Sequence, residues 1–531
     1  MKIDVKTKNA GMAKQHDAAS KTADQNILKY RIIIKGTDNL NPFDELIKVF
    51  LRPDEYILLS EEVFAEADGS DLNGSESSDI KTFIFEQQED KDVTRQEIFD
   101  RLSFETGLVP EWGIMTGIRP VKLFGMLTRE NMITALSAAG NGSGKPDISL
   151  IKEESIDSVK RTFREHYRVS AEKSDLAEEL YRYQTELFGE ADDDSCGIYI
   201  GIPFCPTRCL YCSFASNPAD EEKIKKYLEA LHQEIDFCGE LLKKREWYAE
   251  SIYVGGGTPT TLTAEQLDEL LEHAVRVLVN KESKNRMLRE FTVEAGRPDT
   301  ITPDKIKAML RHGAGRISIN PQSMKAETLK AIGRDHTPDD VREAFRIVRS
   351  SEKEFFSDLC GDTDNNSIII NTDIITGLPG EDVSDIEQTL REIIELGADN
   401  ITVHSLAVKR ASRLAAQDRD YHYRQGRIVT EMLDAARKML GEADYRPYYL
   451  YRQKHMSGAQ ENTGYCLEGT AGIYNVRIMD EHQRIIAMGA GGISKAYDPL
   501  TRSLSRVPNV TNEEIYVERI GEMIERKRSN F

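Results

Sequence analysis

What this 531-residue chain lacks narrows its class first. No run approaches the ~20 consecutive apolar residues that a membrane span needs, so no membrane span is expected. The opening stretch, MKIDVKTKNAGMAKQHDAAS, has no apolar core of the kind a secretory leader carries. Cysteines number seven, and Cys196, Cys238, Cys360 and Cys466 are scattered. That is no disulfide framework, and it points to a reducing, cytoplasmic setting. Basic charge is in deficit, with 70 Lys and Arg against 90 Asp and Glu, a net charge of −20. A nucleic-acid partner, whose phosphates ask for a basic face, is therefore not expected. The remaining composition suits an enzyme of two to four domains.

What the chain does have is a bunch of three cysteines. Cys205-Pro-Thr-Arg-Cys209-Leu-Tyr-Cys212 closes the apolar run Gly197-Ile-Tyr-Ile-Gly-Ile-Pro-Phe204. Thiolates so close together can wrap one compact, soft-metal object, an iron–sulfur cluster or zinc. A 4Fe-4S cube usually takes four cysteines, so three supplied locally leave one iron free to bind something else. Zinc completed by a distant His or Cys, and three unligated thiols, stay open on spacing alone.

Along the chain, residues 1–26 read as a disordered tail and 27–192 as an accessory α+β and helical region. Within it, strands are expected at 28–35, 55–59 and 80–86, and helices at 41–51, 94–107, 150–167 and 170–188. Polar stretches at 67–78 and 140–146 read as linkers. From 193 to 429, short apolar strands (197–203, 251–255, 291–295, 316–320, 368–375 and 400–405) alternate with amphipathic helices near 220–244, 263–279, 303–311, 338–350 and 384–396. That rhythm predicts an α/β fold, a partial (βα)6 TIM-like barrel with its chemistry at the C-terminal strand edge. Residues 352–367 read as a surface loop. Residues 430–531 read as a C-terminal cap, with a helix at 423–441 leading into it. In the cap, 448–452 reads as a strand, 471–479 and 484–490 as strands joined by a turn at 480–483, and 512–527 as a last helix.

Ser251-Ile-Tyr-Val-Gly-Gly-Gly-Thr-Pro-Thr260 follows the cysteines. Glu294, Gln322, Arg334 and Asp373 then fall at strand ends or in the loops beyond. Together, YIGIPFCPTRCLYC, GGGTPT and NTDIITGLPGE resemble the radical S-adenosylmethionine (SAM) superfamily, in particular the oxygen-independent coproporphyrinogen III oxidase group. The N-terminal extension and EWGIMTGIRP resemble its HemZ-type branch, and the likeness spans roughly 100–531.

The resemblance implies that Cys205, Cys209 and Cys212 ligate a 4Fe-4S cluster whose fourth iron chelates SAM. It implies SAM contacts from Gly256, Gly257, Thr258, Gln322, Arg334 and Asp373, with looser matches at Leu406 and Ile493. Tyr199, beside the methionine moiety, and Glu294, pairing with the SAM ammonium, are the implied catalytic positions. The implied reaction is oxidative decarboxylation of coproporphyrinogen III to protoporphyrinogen IX, fed by an electron donor such as flavodoxin or ferredoxin. A porphyrinogen carries carboxylates, so Arg119, Lys409, Arg410 and Arg452 are candidate cations for its pocket. The oxidases carry a further cysteine where this chain has Phe214, and a histidine where it has Gly201. Phe214 is shared with the heme-chaperone branch, so a heme-binding protein without oxidase activity is the second reading. A radical SAM enzyme of another substrate, such as a methyltransferase, is the third. A monomer is expected.

Overall fold

The computed structural model describes residues 28–67, 80–139, 147–213, 218, 220–279, 286–360, 367–409, 411–418, 420–453 and 456–531. The tail expected at 1–26, most of 67–78, 140–146, Phe214 and Arg410 lie outside them. The chain divides into two units, one ending at Ile98 and one starting at Phe99.

In the first unit, β1 (Tyr30–Lys35), β2 (Tyr56–Ser60) and β3 (Lys81–Glu86) form a parallel sheet in the order β2-β1-β3. Consecutive Ile32, Ile33 and Ile34 are all buried, as befits a central strand covered on both faces. The helix Asn41–Phe50 crosses from β1 to β2 and buries Phe43, Leu46, Ile47 and Phe50, a one-sided helical stripe.

In the second unit six strands run parallel and pair in sequence order: β4 (Ser195–Ile202), β5 (Tyr248–Gly256), β6 (Glu290–Glu294), β7 (Arg316–Ser318), β8 (Ile369–Thr376) and β9 (Asn400–Ser405). Ile198, Ile200, Ile202, Ile252, Val254, Phe291, Val293 and Ile317 share one buried core with the intervening helices. At roughly 1.5–3 kcal/mol for each large apolar side chain buried, this alternation fixes which face is left to line the lumen. Those lumen positions are Tyr199, Tyr253, Glu294, Asp373 and His404.

The last hundred residues extend both edges of the sheet. β10 (Arg446–Tyr451) and β11 (Asn462–Cys466) run antiparallel beyond β9. β12 (Arg484–Met488) lies parallel to β4, followed by antiparallel β13 (Ile493–Asp498) and β14 (Ser503–Pro508). The order is β10-β11-β9-β8-β7-β6-β5-β4-β12-β13-β14, an open sheet and so a partial barrel, as the strand count predicts.

Four local expectations are overturned. Residues 471–479 are not a strand: Ile473–Asp480 is a helix. Its first turn is capped by Glu290, whose carboxylate accepts the Ile473 and Tyr474 N–H groups at 2.7 and 3.2 Å, a partner 183 and 184 residues away. Consequently 480–483 is no hairpin turn. The loop expected from 352 is helical to 360, because the helix Pro338–Cys360 continues and packs Phe355 and Phe356 on the core. The last helix is two, Glu513–Glu518 and Ile520–Asn530. The helix Pro120–Ala139 and the strands β11, β13 and β14 had no sequence expectation.

Candidate active site

The cysteine loop starts where β4 ends, and it is sewn to the loop after β5 by backbone. The Ile202 and Phe204 carbonyls accept N–H groups from Gly257 and Thr258, each at 2.7 Å. Cys205 Sγ sits 3.3 Å from Thr258 Oγ1. This approach demands glycine: a Cβ on Gly257 would stand 2.5 Å from Phe204 O and 3.0 Å from Cys205 Sγ. Gly256 adds φ +115°, and its Cβ would meet Ile202 O at 2.8 Å. On its other side the loop is held by Leu210 N–H to Ile332 O at 2.8 Å and Leu414 N–H to Leu210 O at 2.9 Å. Arg297 donates to Thr207 Oγ1 at 2.9 Å, and Arg208 to Ala411 O at 2.9 Å. Cys209 is buried, and Cys205 and Cys212 are half-buried. Among the described residues no three His, Cys, Asp or Glu side chains are grouped as ligands of one metal ion. Three soft donors on a backbone-braced loop, over a glycine cradle that any side chain would fill, fit the implied cluster.

Below the loop lies the lumen. Tyr253 OH donates to Glu294 Oε1. Burial pushes the Glu294 carboxyl up to about 7; the Tyr253 hydroxyl opposes the rise, and Asp373 adds to it. The Tyr253 ring lies near-parallel to Tyr199, at 6.3 Å and 15°, and to Tyr474, at 4.6 Å and 20°. Across the lumen, His404 Nε2 stands 3.6 Å from Asp373 Oδ2, and its Nδ1 stands 3.2 Å from Tyr451 OH.

Gln322 holds φ +69°, a left-handed conformation costly for a side-chain-bearing residue. Its backbone bridges β8, donating to Asp373 O and accepting from Ile375 N–H, both at 3.0 Å, while its Oε1 is buried without a partner. Arg334 is buried and donates to the Asn320 and Gly296 carbonyls, yet its Nε is unpartnered. Burial works against its charge, but Tyr211 and Cys209 hold its pKa above the ordinary value. Orphaned buried polar atoms are uncommon and ask for an explanation, which a polar ligand supplies.

Two predicted residues stand apart. Leu406 is buried with Leu329, Ile332, Ile375 and Leu414, its N–H bound to Thr376 O and its carbonyl to Ser457. Ile493 is half-exposed at the start of β13, two strands out from β4. Of the candidate cations, Arg119 is spent on the Ile478 and Met479 carbonyls and on Glu481. Arg452 is spent on the Met115 and Ala459 carbonyls and the Trp112 face, and burial lowers its pKa to about 10. Among the described candidates Lys409 remains, half-buried beside the cysteine loop, its pKa lowered by burial against an opposing effect of Cys212.

Tyr253, Tyr474, His404 and Tyr451 were missed in the sequence. Tyr253 had a signal, since it lies two residues before Gly255 and so on the same strand face. Tyr474 had none, because its segment reads locally as a strand.

A family model described as the radical SAM superfamily matches residues 199–393. The chain is 36% identical over 496 residues to the oxygen-independent coproporphyrinogen-III oxidase-like protein HemZ of Bacillus subtilis, covering 92% of this chain and 90% of that protein. It is 34% identical over 211 residues to the heme chaperone HemW of the same bacterium, 40% of this chain and 50% of HemW. Among solved structures, the radical SAM coproporphyrinogen III oxidase HemN from Escherichia coli matches with a TM-score of 0.47 and 20% identity, over 65% of this chain and 73% of that one.

Proposed function

The chain belongs to the HemZ-type, oxygen-independent coproporphyrinogen-III oxidase-like family of radical SAM proteins, and from that premise we propose that it oxidatively decarboxylates two propionates of coproporphyrinogen III to vinyl groups without oxygen. Each propionate gives up a hydrogen atom to the 5′-deoxyadenosyl radical, carbon dioxide, and one electron to an electron acceptor. Radical SAM proteins use SAM and a 4Fe-4S cluster. Here Cys205, Cys209 and Cys212 would hold the cluster, which with SAM supplies a 5′-deoxyadenosyl radical after one-electron reduction. The chain's own residues do the rest. Glu294, once ionised, receives an ammonium group; Gln322 and Arg334 offer unpaired Oε1 and Nε atoms; Asp373 suits ribose hydroxyls; the stacked Tyr199 and Tyr253 keep water from the lumen. A low-potential donor such as flavodoxin or ferredoxin fits the electron demand, and among the described candidates Lys409 is the cation left for a substrate carboxylate.

The observation carrying this reading is the convergence of a thiolate loop, a glycine cradle and an underpaired carboxylate on one edge of six parallel strands. The test is anaerobic reconstitution with SAM, reductant and coproporphyrinogen III, followed by mass analysis for vinyl products. Release of 5′-deoxyadenosine without porphyrin product would exclude the oxidase reading. Alanine at any of the three cysteines is expected to abolish SAM cleavage. One observation favours a second reading, heme binding and delivery: Phe214 occupies the position of the oxidases' further cysteine. Stoichiometric heme binding without turnover would select it.

A further inference from the structure

Tyr253 lies on β5 beside Tyr199 of β4, and its local setting is built around its ring. A Cβ on Gly255 would lie 2.9 Å from that ring and 3.4 Å from Glu294 Cδ, so the first glycine of the triplet clears a path for the phenol to reach β6. Two near-parallel rings flank it, Tyr199 at 6.3 Å and Tyr474 at 4.6 Å, and they restrict its swing. Tyr474 is delivered by the helix Ile473–Asp480, whose start is tied to Glu290, four residues before Glu294 on the same strand. Among the described residues, Tyr253 is the single hydrogen-bond donor that Glu294 has.

We propose that Tyr253, clamped by Tyr199 and Tyr474, is a positioning residue that fixes the orientation and charge of the Glu294 carboxylate for a ligand's ammonium group. This rests on the reading of Glu294 as a SAM contact. The groups facing Glu294 are Tyr199 from β4, Tyr253 from β5, Asp373 from β8 and Tyr474 from the helix, with His404 behind Asp373. The phenol donates to the carboxylate and so favours its ionised form; removing it raises the Glu294 midpoint. Ammonium binding needs the ionised form, so affinity gains with rising pH, and the gain moves to higher pH when the phenol is lost.

The experiment is equilibrium binding of radiolabelled SAM to anaerobically reconstituted protein, without reductant so that nothing turns over, on both sides of pH about 7. Tyr253→Phe keeps the stack and removes the donor. It is expected to weaken binding about tenfold at neutral pH and to move the pH midpoint up by about one unit. Tyr474→Leu, which frees the ring, moves it the same way by less. An unchanged affinity and midpoint in folded Tyr253→Phe overturns the inference; should that variant not fold, an unmoved midpoint in Tyr474→Leu overturns it. Glu294→Gln separates the layers: wild-type SAM binding there defeats the reading of Glu294 itself, whereas its loss with an unaffected Tyr253→Phe defeats only the role of Tyr253.

Discussion

Two glutamates in the same unit, Glu234 fully buried and Glu294 half-buried, are treated oppositely. Glu234 is fully buried and receives four donors: the Gly489 N–H at 2.8 Å, Asn509 Nδ2 at 2.9 Å, the Tyr516 hydroxyl and the Lys527 ammonium. Lys527 is itself fully buried and also donates to Asn509 Oδ1 at 2.9 Å. The network spans the helix Glu221–Arg245, the glycine-rich turn after β12 and the last helix, and it pins the C-terminus. Glu294 receives one donor, with a second carboxylate nearby and orphaned polar atoms on Gln322 and Arg334. A charge whose desolvation is offset inside the protein serves the fold; one left short has its missing partner outside the chain.

The largest effect expected from this contrast is at the satisfied site. Lys527→Met leaves the Glu234 charge buried without its ion partner and should cost about 3–5 kcal/mol, read as a lower denaturant midpoint. Adding Glu234→Gln should restore part of the loss, because the orphaned charge is gone. Wild-type stability in Lys527→Met would break the comparison at its stronger end.

The underpaired site should respond in the other currency. Glu294→Gln is expected to lower SAM cleavage about 10–100-fold, the worth of a hydrogen bond between charged groups, while unfolding at a denaturant concentration no lower than wild type. A variant that instead lost stability as Lys527→Met does would make Glu294 a structural residue like Glu234.

The barrel and the meeting of the cysteine loop with the glycine triplet were legible because their signals are local. Alternation of apolar strands with amphipathic helices announced six βα units, and glycines packed against a cysteine loop mark where two backbones touch. The partners that settle Glu294 were harder to see. Tyr474 lies on a segment whose β-branched residues read as a strand, and it is helical because a carboxylate from β6, remote in sequence, caps its first turn. The network of Glu234 was likewise invisible, since Tyr516 and Lys527 are polar residues in a stretch that reads as an ordinary terminal helix, and Asn509 lies just before it. Arg119 and Arg452 were plausible carboxylate anchors by type alone; only their carbonyl partners show that they are already used.

The smallest expected effect sharpens the contrast through pH. The folded protein holds the Glu294 carboxyl at about 7, against an ordinary value of 4.5, chiefly through burial. Between those values the folded state binds the proton that the unfolded chain has released, so the contribution of this group to stability falls as pH rises, then levels off above about 7. Glu294→Gln has no proton to hold and should flatten that part of the profile, leaving the variant no less stable than wild type at neutral pH. Denaturant midpoints measured on protein stripped of iron, from about pH 5 to about pH 8, check this. Parallel profiles for the two proteins would mean that the Glu294 carboxylate is repaid inside the fold after all, and the distinction from Glu234 would lapse.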